Sequence, residues 1–339
     1  MEENILNDPD ANAEPTATES NTYIDVSEVM DFALKVKTEL QKVIVGMDNT
    51  IELLTVGLLT NGHVLIEGVP GIAKTLLVKL LANILDAEYK RIQFTPDLMP
   101  SDVIGTTVYN MQSASFFFRK GPVFSNIILA DEINRAPAKT QSALFEVMEE
   151  RQITVDGETH RLDYPLYVIA TQNPIEQEGT YRLPEAELDR FMFRIKIGYP
   201  SVEEEIGILS RFKSDFFNRI EKDVQKVYKA KDLINLCSIV EKVHVKDELL
   251  AYVANIVNNT RSNSNLFLGA SPRASIAILR TSKAIAAING RDFVTPDDIQ
   301  KVAYPVLNHR IILVPEREIE GVDAEDIIKD IIQKIEVPR

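Results

Sequence analysis

A single cysteine, Cys237, no tryptophan and four histidines set the first limits on this chain of 339 residues. One thiol cannot close an intramolecular disulfide, which fits a reducing compartment and leaves stability to a packed core. The histidines (His63, His160, His244 and His309) are scattered and show no metal-ligand spacing. Basic residues are also short: 37 Lys and Arg against 51 Asp and Glu give a net charge of −14. Holding a nucleic-acid backbone requires a basic face, so no nucleic-acid partner is expected, although a local basic pore stays open. No apolar run approaches the ~18 residues of a membrane span. The opening MEENILNDPD has neither the basic nor the apolar region of a secretory signal. What is present is ordinary in amount, 45% apolar and 26% charged, enough for two domains with substantial cores. A soluble cytoplasmic α/β protein is the expectation.

Residues 1–22 carry six acidic and no basic side chains and read as a disordered tail. From residue 23 to 200, short apolar strands alternate with amphipathic helices. The expected strands are His63–Glu67, Arg91–Phe94, Asn126–Asp131, Tyr167–Thr171 and Phe193–Ile197, with helices such as Lys74–Leu85 and Ala138–Glu150 between them. Near-continuous apolar strands in this alternation predict a parallel sheet covered on both faces. Val108–Phe118 and Thr154–Asp163 read as inserted hairpins, the second turning at Asp156-Gly157. From residue 201 to 339 strands are no longer expected. Glu203–Phe217, Ala230–Val243, Asp247–Asn259, Pro272–Asn289, Pro296–Val306 and Ala324–Ile335 show helical spacing, and the last aligns five isoleucines on one face.

Chemistry concentrates at strand ends. His63–Glu67 runs into Gly68-Val-Pro-Gly-Ile-Ala-Lys-Thr75 and then a helix. A glycine-rich turn from strand to helix points backbone N–H groups and a positive helix end at phosphate. Lys74 would reach the β- and γ-phosphates, and the Thr75 hydroxyl would bind Mg²⁺. Ala73 stands where glycine usually precedes the lysine, and alanine suits that position if φ is negative. Asn126–Asp131 ends in Asp131-Glu132: Asp131 suits the metal, and Glu132 suits orienting and deprotonating water. Val168-Ile-Ala-Thr-Gln-Asn-Pro174 places Thr171 or Asn173 where a γ-phosphate or water could be bound. Arg190 in Leu-Asp-Arg-Phe and Arg273 in Gly-Ala-Ser-Pro-Arg-Ala-Ser are cations suited to developing phosphoryl charge, or to ordinary surface ion pairs.

In this order the stretches GVPGIAKT (68–75), GPVFSNIILADEINRAPAKTQSALFEVMEERQ (121–152), IATQNP (169–174), LPEAELDRF (183–191), GASPRAS (269–275) and GRDFVTPDD (290–298) resemble the MoxR family of AAA+ ATPases. The likeness runs from about Asp25 to Gly321, and in this family alanine before the lysine is common. It implies a P-loop core with a parallel sheet, followed by a small all-α lid. It makes Lys74 and Thr75 the Walker A pair, Asp131 and Glu132 the Walker B pair, Asn173 sensor 1 and Arg273 sensor 2. Arg190 becomes the arginine finger that completes a neighbouring subunit's site, with Arg182 a lesser candidate. ATP would be contacted by Ile44, Val45, Gly46, Gly68, Val69, Pro70, Gly71, Ile72, Ala73, Lys74, Thr75, Leu76 and Arg273. Met47 replaces the usual glutamine beside the adenine. The resemblance further implies a homo-oligomeric ring, usually a hexamer, that remodels client proteins with a von Willebrand factor A domain partner. A nucleic-acid motor and a nucleotide-gated scaffold with little turnover are the alternatives. Phe116–Lys120, aromatic and basic at the first hairpin, would contact substrate at a pore or pack against its own sheet.

Overall fold

The computed structural model describes residues 23–174, 179–213 and 223–338. The expected acidic tail and the end of the helix expected to reach Phe217 lie outside these residues. In chain order, α1 (Ser27–Gln41) and α2 (Asp48–Leu59) precede β1 (Val64–Gly68), α3 (Lys74–Ile84) and β2 (Tyr89–Gln93). A short α4 (Pro100–Ile104) leads into the hairpin β3 (Gly105–Asn110) and β4 (Ser115–Lys120). Then come β5 (Ile127–Asp131), α5 (Ala138–Glu150), the hairpin β6 (Gln152–Val155) and β7 (Glu158–Arg161), β8 (Tyr167–Gln172), α6 (Glu185–Leu188) and β9 (Phe193–Ile197).

The five expected strands form one parallel sheet in the order β2-β5-β8-β1-β9. Side chains alternate between its faces, as the pleat requires. Val64, Ile66, Ile127, Leu129, Ile169, Phe193 and Ile195 join α1, α2 and α3 in one buried cluster. Leu65, Ile128, Ala130, Val168 and Ala170 join Leu144, Phe145, Val147 and Met148 of α5 in the other. Truncating a fully buried residue here, such as Leu65→Ala, should cost about 2–5 kcal/mol.

The helical part that follows β9 holds α7 (Val202–Phe212), α8 (Leu233–Lys242), α9 (Asp247–Arg261), α10 (Pro272–Ile288), α11 (Pro296–Leu307), α12 (Pro315–Ile319) and α13 (Ala324–Lys334). Its buried residues continue the cluster that begins on α1, whose Val29, Phe32, Val36 and Leu40 form one apolar stripe. On α13, Ile327, Ile328 and Ile331 are buried in the protein's own core. One expectation needs correction. Strands do not end at Pro200, because β10 (Leu266–Leu268) and β11 (Ile312–Leu313) form a short antiparallel ladder. Runs of three and two residues are too short to show a period.

The second hairpin turns at Asp156-Gly157, both with positive φ (51° and 83°), as an Asp-Gly hairpin turn requires. The first divides its aromatic residues. Phe118 stacks on His160 of β7 (centroids 4.3 Å apart) and meets Phe124 edge-on, whereas Phe116 is 73% exposed. A hydrogen bond from Thr107 Oγ1 to Asp156 Oδ2 also ties the two hairpins together.

Candidate active site

Because all five strands are parallel, their carboxyl ends share one edge of the sheet. This is where an α/β sheet gathers ligand chemistry. β1 delivers Gly68, whose missing Cβ matters: one built there would lie 2.7 Å from Ile197 O on β9. The turn then needs positive φ at Gly71 (84°) and again at Ala73 (60°). The negative φ that would make alanine easy at position 73 is therefore not what occurs. Ala73 adopts the left-handed conformation, at a cost of about 1–2 kcal/mol, and caps α3 from it. The bend lets α3 start directly at Lys74, so its first N–H groups face the loop.

Lys74 Nζ donates to Gly68 O at 2.6 Å. Burial holds its pKa below the usual lysine value, opposed only in part by the negative charges of Asp131, Glu132 and Glu67. Asp131 ends β5 and is held on both oxygens. Thr171 Oγ1 donates to Oδ1 at 2.5 Å, and Arg91 donates to Oδ2 through Nε at 3.0 Å and Nη2 at 2.7 Å. Glu132 also has positive φ (56°), and its N–H donates to Thr171 Oγ1 at 2.9 Å. The Thr171 hydroxyl thus links the two acidic residues. The Glu132 carboxylate accepts from Gln93 Nε2 at 2.7 Å and pairs with Arg135 at 3.2 Å. Asn173 follows β8 and is buried at the same edge.

Beside the loop lies a cavity of about 510 Å³ lined by Ile44, Val45, Gly46, Met47, Pro70, Gly71, Ile72, Ala73 and Leu76. Its far wall is Lys196–Pro200 with Glu204 and Ile208 of α7. An apolar slot next to a phosphate loop suits a planar base. The sequence reading missed that far wall, along with Arg91, Gln93 and the Glu67–Arg194 pair at 2.6 Å. Arg91 and Gln93 were open to discovery, since period two sends both to one face of β2, next to Asp131 on β5.

Arg190 and Arg273 are not gathered there. Arg190 Nη1 donates to Phe145 O at 2.9 Å and lies 3.5 Å from Glu149, and Arg273 pairs with the same Glu149 at 3.0 Å. Arg273, expected at the nucleotide, does not line the cavity beside the loop. Two contacts place this arginine pair at the amino edge of the sheet. His63, just before β1, hydrogen-bonds Met148 O through Nε2 at 3.2 Å, and its backbone O accepts from Met192 N at 2.7 Å. His63 Nδ1 accepts from Val168 N, and burial holds its pKa down to about 4. Between Glu149 and the phosphate loop runs the length of β1, five residues and roughly 16 Å. Arg182 is 85% exposed and lies 3.6 Å from Glu185.

Among the described residues, no cluster of three or more His, Cys, Asp or Glu could hold a metal by itself. None of their helices is long and apolar enough to cross a membrane.

Comparison with known proteins places these features. The ATPase family associated with various cellular activities (AAA) matches residues 63–193, and the AAA lid domain matches residues 258–331. Chaperone MoxR1 of Mycobacterium tuberculosis is 43% identical over 89% of this chain and 81% of its own length. An uncharacterised Bacillus subtilis protein, YeaC, is 47% identical over 90% of this chain and 94% of its own. Among solved structures, a Cytophaga hutchinsonii protein described as a candidate ATPase superposes with a TM-score of 0.85 at 46% identity. It covers 93% of this chain and 97% of that one.

Proposed function

We propose, for a chain that belongs to the MoxR family of AAA+ ATPases, that ATP is hydrolysed between adjacent copies in a ring. The observation that supports this is the separation of Arg190 and Arg273 from the chain's own phosphate loop. An arginine on the opposite edge of the sheet can serve a phosphate only on another copy. The loop backbone, the start of α3 and Lys74 hold the phosphates, and the apolar cavity takes the base. Thr75 and Asp131 would hold Mg²⁺, which would supply positive charge against the phosphates. One hydroxyl and one carboxylate suit a cation that keeps waters and phosphates as its remaining ligands. Glu132, oriented by Gln93 and Arg135, takes a proton from the attacking water while Asn173 helps place it. Arg190 of the neighbouring copy, with Arg273 beside it, meets the charge that develops on the phosphoryl group.

The work done is remodelling or activation of client proteins, as the name of the chaperone relative suggests, with a von Willebrand factor A domain protein as partner. The exposed Phe116 and Phe117 of the first hairpin offer the client an aromatic contact. Sedimentation and ATP turnover on one sample test this reading, for wild type and Arg190→Ala. Assembly with ATP in both, and loss of turnover in the variant alone, is expected. A wild type that stays monomeric and hydrolyses as fast as the variant would contradict it.

A further inference from the structure

The turn after α11 reaches back from the lid onto the segment that carries Arg190. Arg310, only 8% exposed, spreads its guanidinium over that segment. Nε donates to Asp189 Oδ1 at 2.7 Å, Nη2 to Phe191 O at 2.6 Å and to Asp189 O at 3.1 Å, and Nη1 to Met192 O at 3.2 Å. The same Nη1 also donates to Val306 O at 2.6 Å, which fixes the guanidinium to the end of α11. His309 places Nε2 3.0 Å from Phe191 O, and Asn308 Nδ2 donates to Arg194 O at 2.9 Å. The second oxygen of Asp189 accepts from Ser271 Oγ at 3.0 Å, at the start of α10. The lid thus grips the backbone on both sides of Arg190 and leaves its side chain at the surface of α5.

This exceeds what packing requires. A buried ion pair seldom stabilises more than an apolar group of the same volume would, because its desolvation offsets the attraction. What a planar fork of donors provides is a fixed position for the groups it binds. We propose that Arg310, with Asn308 and His309, is a positioning group for Arg190: it ties residues 189–194 to the lid and aims the guanidinium into the neighbouring copy's site. A shift of the lid on its own nucleotide would then move the arginine offered to the next subunit. The proposal rests on the reading that Arg190 acts between copies.

Arg310→Lys in the full chain tests it, since lysine keeps the charge and loses the fork. Ring assembly and ATP affinity should persist while kcat falls about 10- to 100-fold with KM little changed, the mark of a transition-state group out of place. Arg310→Lys subunits are then mixed with Glu132→Gln subunits, whose Arg190 is correctly held. At equal mixing, about one interface in four pairs an intact Glu132 with a well-placed Arg190, so activity should rise well above either variant alone. Arg190→Ala mixed with Glu132→Gln is the control. If the control recovers and the Arg310→Lys mixture does not, the positioning role is overturned while action between copies stands. If neither recovers, action between copies fails and the proposal with it. Should Arg310→Lys not assemble, Asn308→Ala removes one contact of the grip, and a smaller loss of kcat with the same recovery is expected. An unchanged kcat there would overturn the proposal.

Discussion

The two edges of the sheet are built on different terms. At the carboxyl edge, three short runs, each at the end of a strand, converge on one loop: Gly68 to Thr75, then Asp131 and Glu132, then Thr171 and Asn173. At the amino edge, Arg190, Arg273, Glu149 and His63 stand singly in four segments, and the lid reaches this edge through Arg273 on Glu149 and Arg310 on the backbone beside Arg190. One edge is shaped to receive a nucleotide and the other to present cations. On the proposed function, the difference means that the chain carries two halves of a site facing apart, each completed by another copy.

The largest expected effect separates the halves. Arg190→Ala should lower turnover about 10³- to 10⁵-fold, and Glu132→Gln about 10²- to 10⁴-fold, with ATP binding retained in both. Equilibrium binding and steady-state turnover on the two variants check this. An Arg190 variant that loses ATP binding would place that residue at its own nucleotide and erase the comparison.

A smaller effect tests the amino edge through His63. Neutral His63 accepts from Val168 N and donates to Met148 O, and burial holds its pKa at about 4 against an ordinary 6.5. Because the folded value is the lower one, this contribution is complete above pH 6.5 and fades as the pH falls toward 4. Its size is about 3 kcal/mol. His63→Gln keeps a donor and an acceptor but cannot titrate. Denaturant melts from pH 7 to 4 should show wild type losing about 3 kcal/mol more than the variant. Parallel curves would contradict the assignment.

The smallest concerns Ala73. Replacing it with glycine relieves the left-handed strain at φ 60° but loosens the unfolded chain, leaving a net stabilisation of about 1 kcal/mol or less. Urea midpoints decide it, and a destabilised Ala73→Gly would mean the loop needs the methyl group.

The contrast between the edges also explains what could be read in advance. The strands, the phosphate loop and the acidic pair were legible because each chemical role is written in contiguous residues with a strand before them. The grip on Arg190 was not, because Arg310 and Asp189 are 121 residues apart and nothing local couples them. Arg273 shows the same limit. Its place in a helical lid was legible, but the edge it faces depends on how α10 packs against α1 and α2. The conformation of Ala73 was hidden for another reason, since composition cannot report the sign of φ.

The most direct test mixes two inactive chains. Arg190→Ala keeps its own phosphate loop and Glu132, and Glu132→Gln keeps an intact Arg190 to offer its neighbour. Turnover measured on equal parts, after exchange of subunits, should rise far above the sum of the two preparations alone. A mixture no more active than that sum would mean that each site is completed within its own chain, and the division of labour between the edges would be wrong.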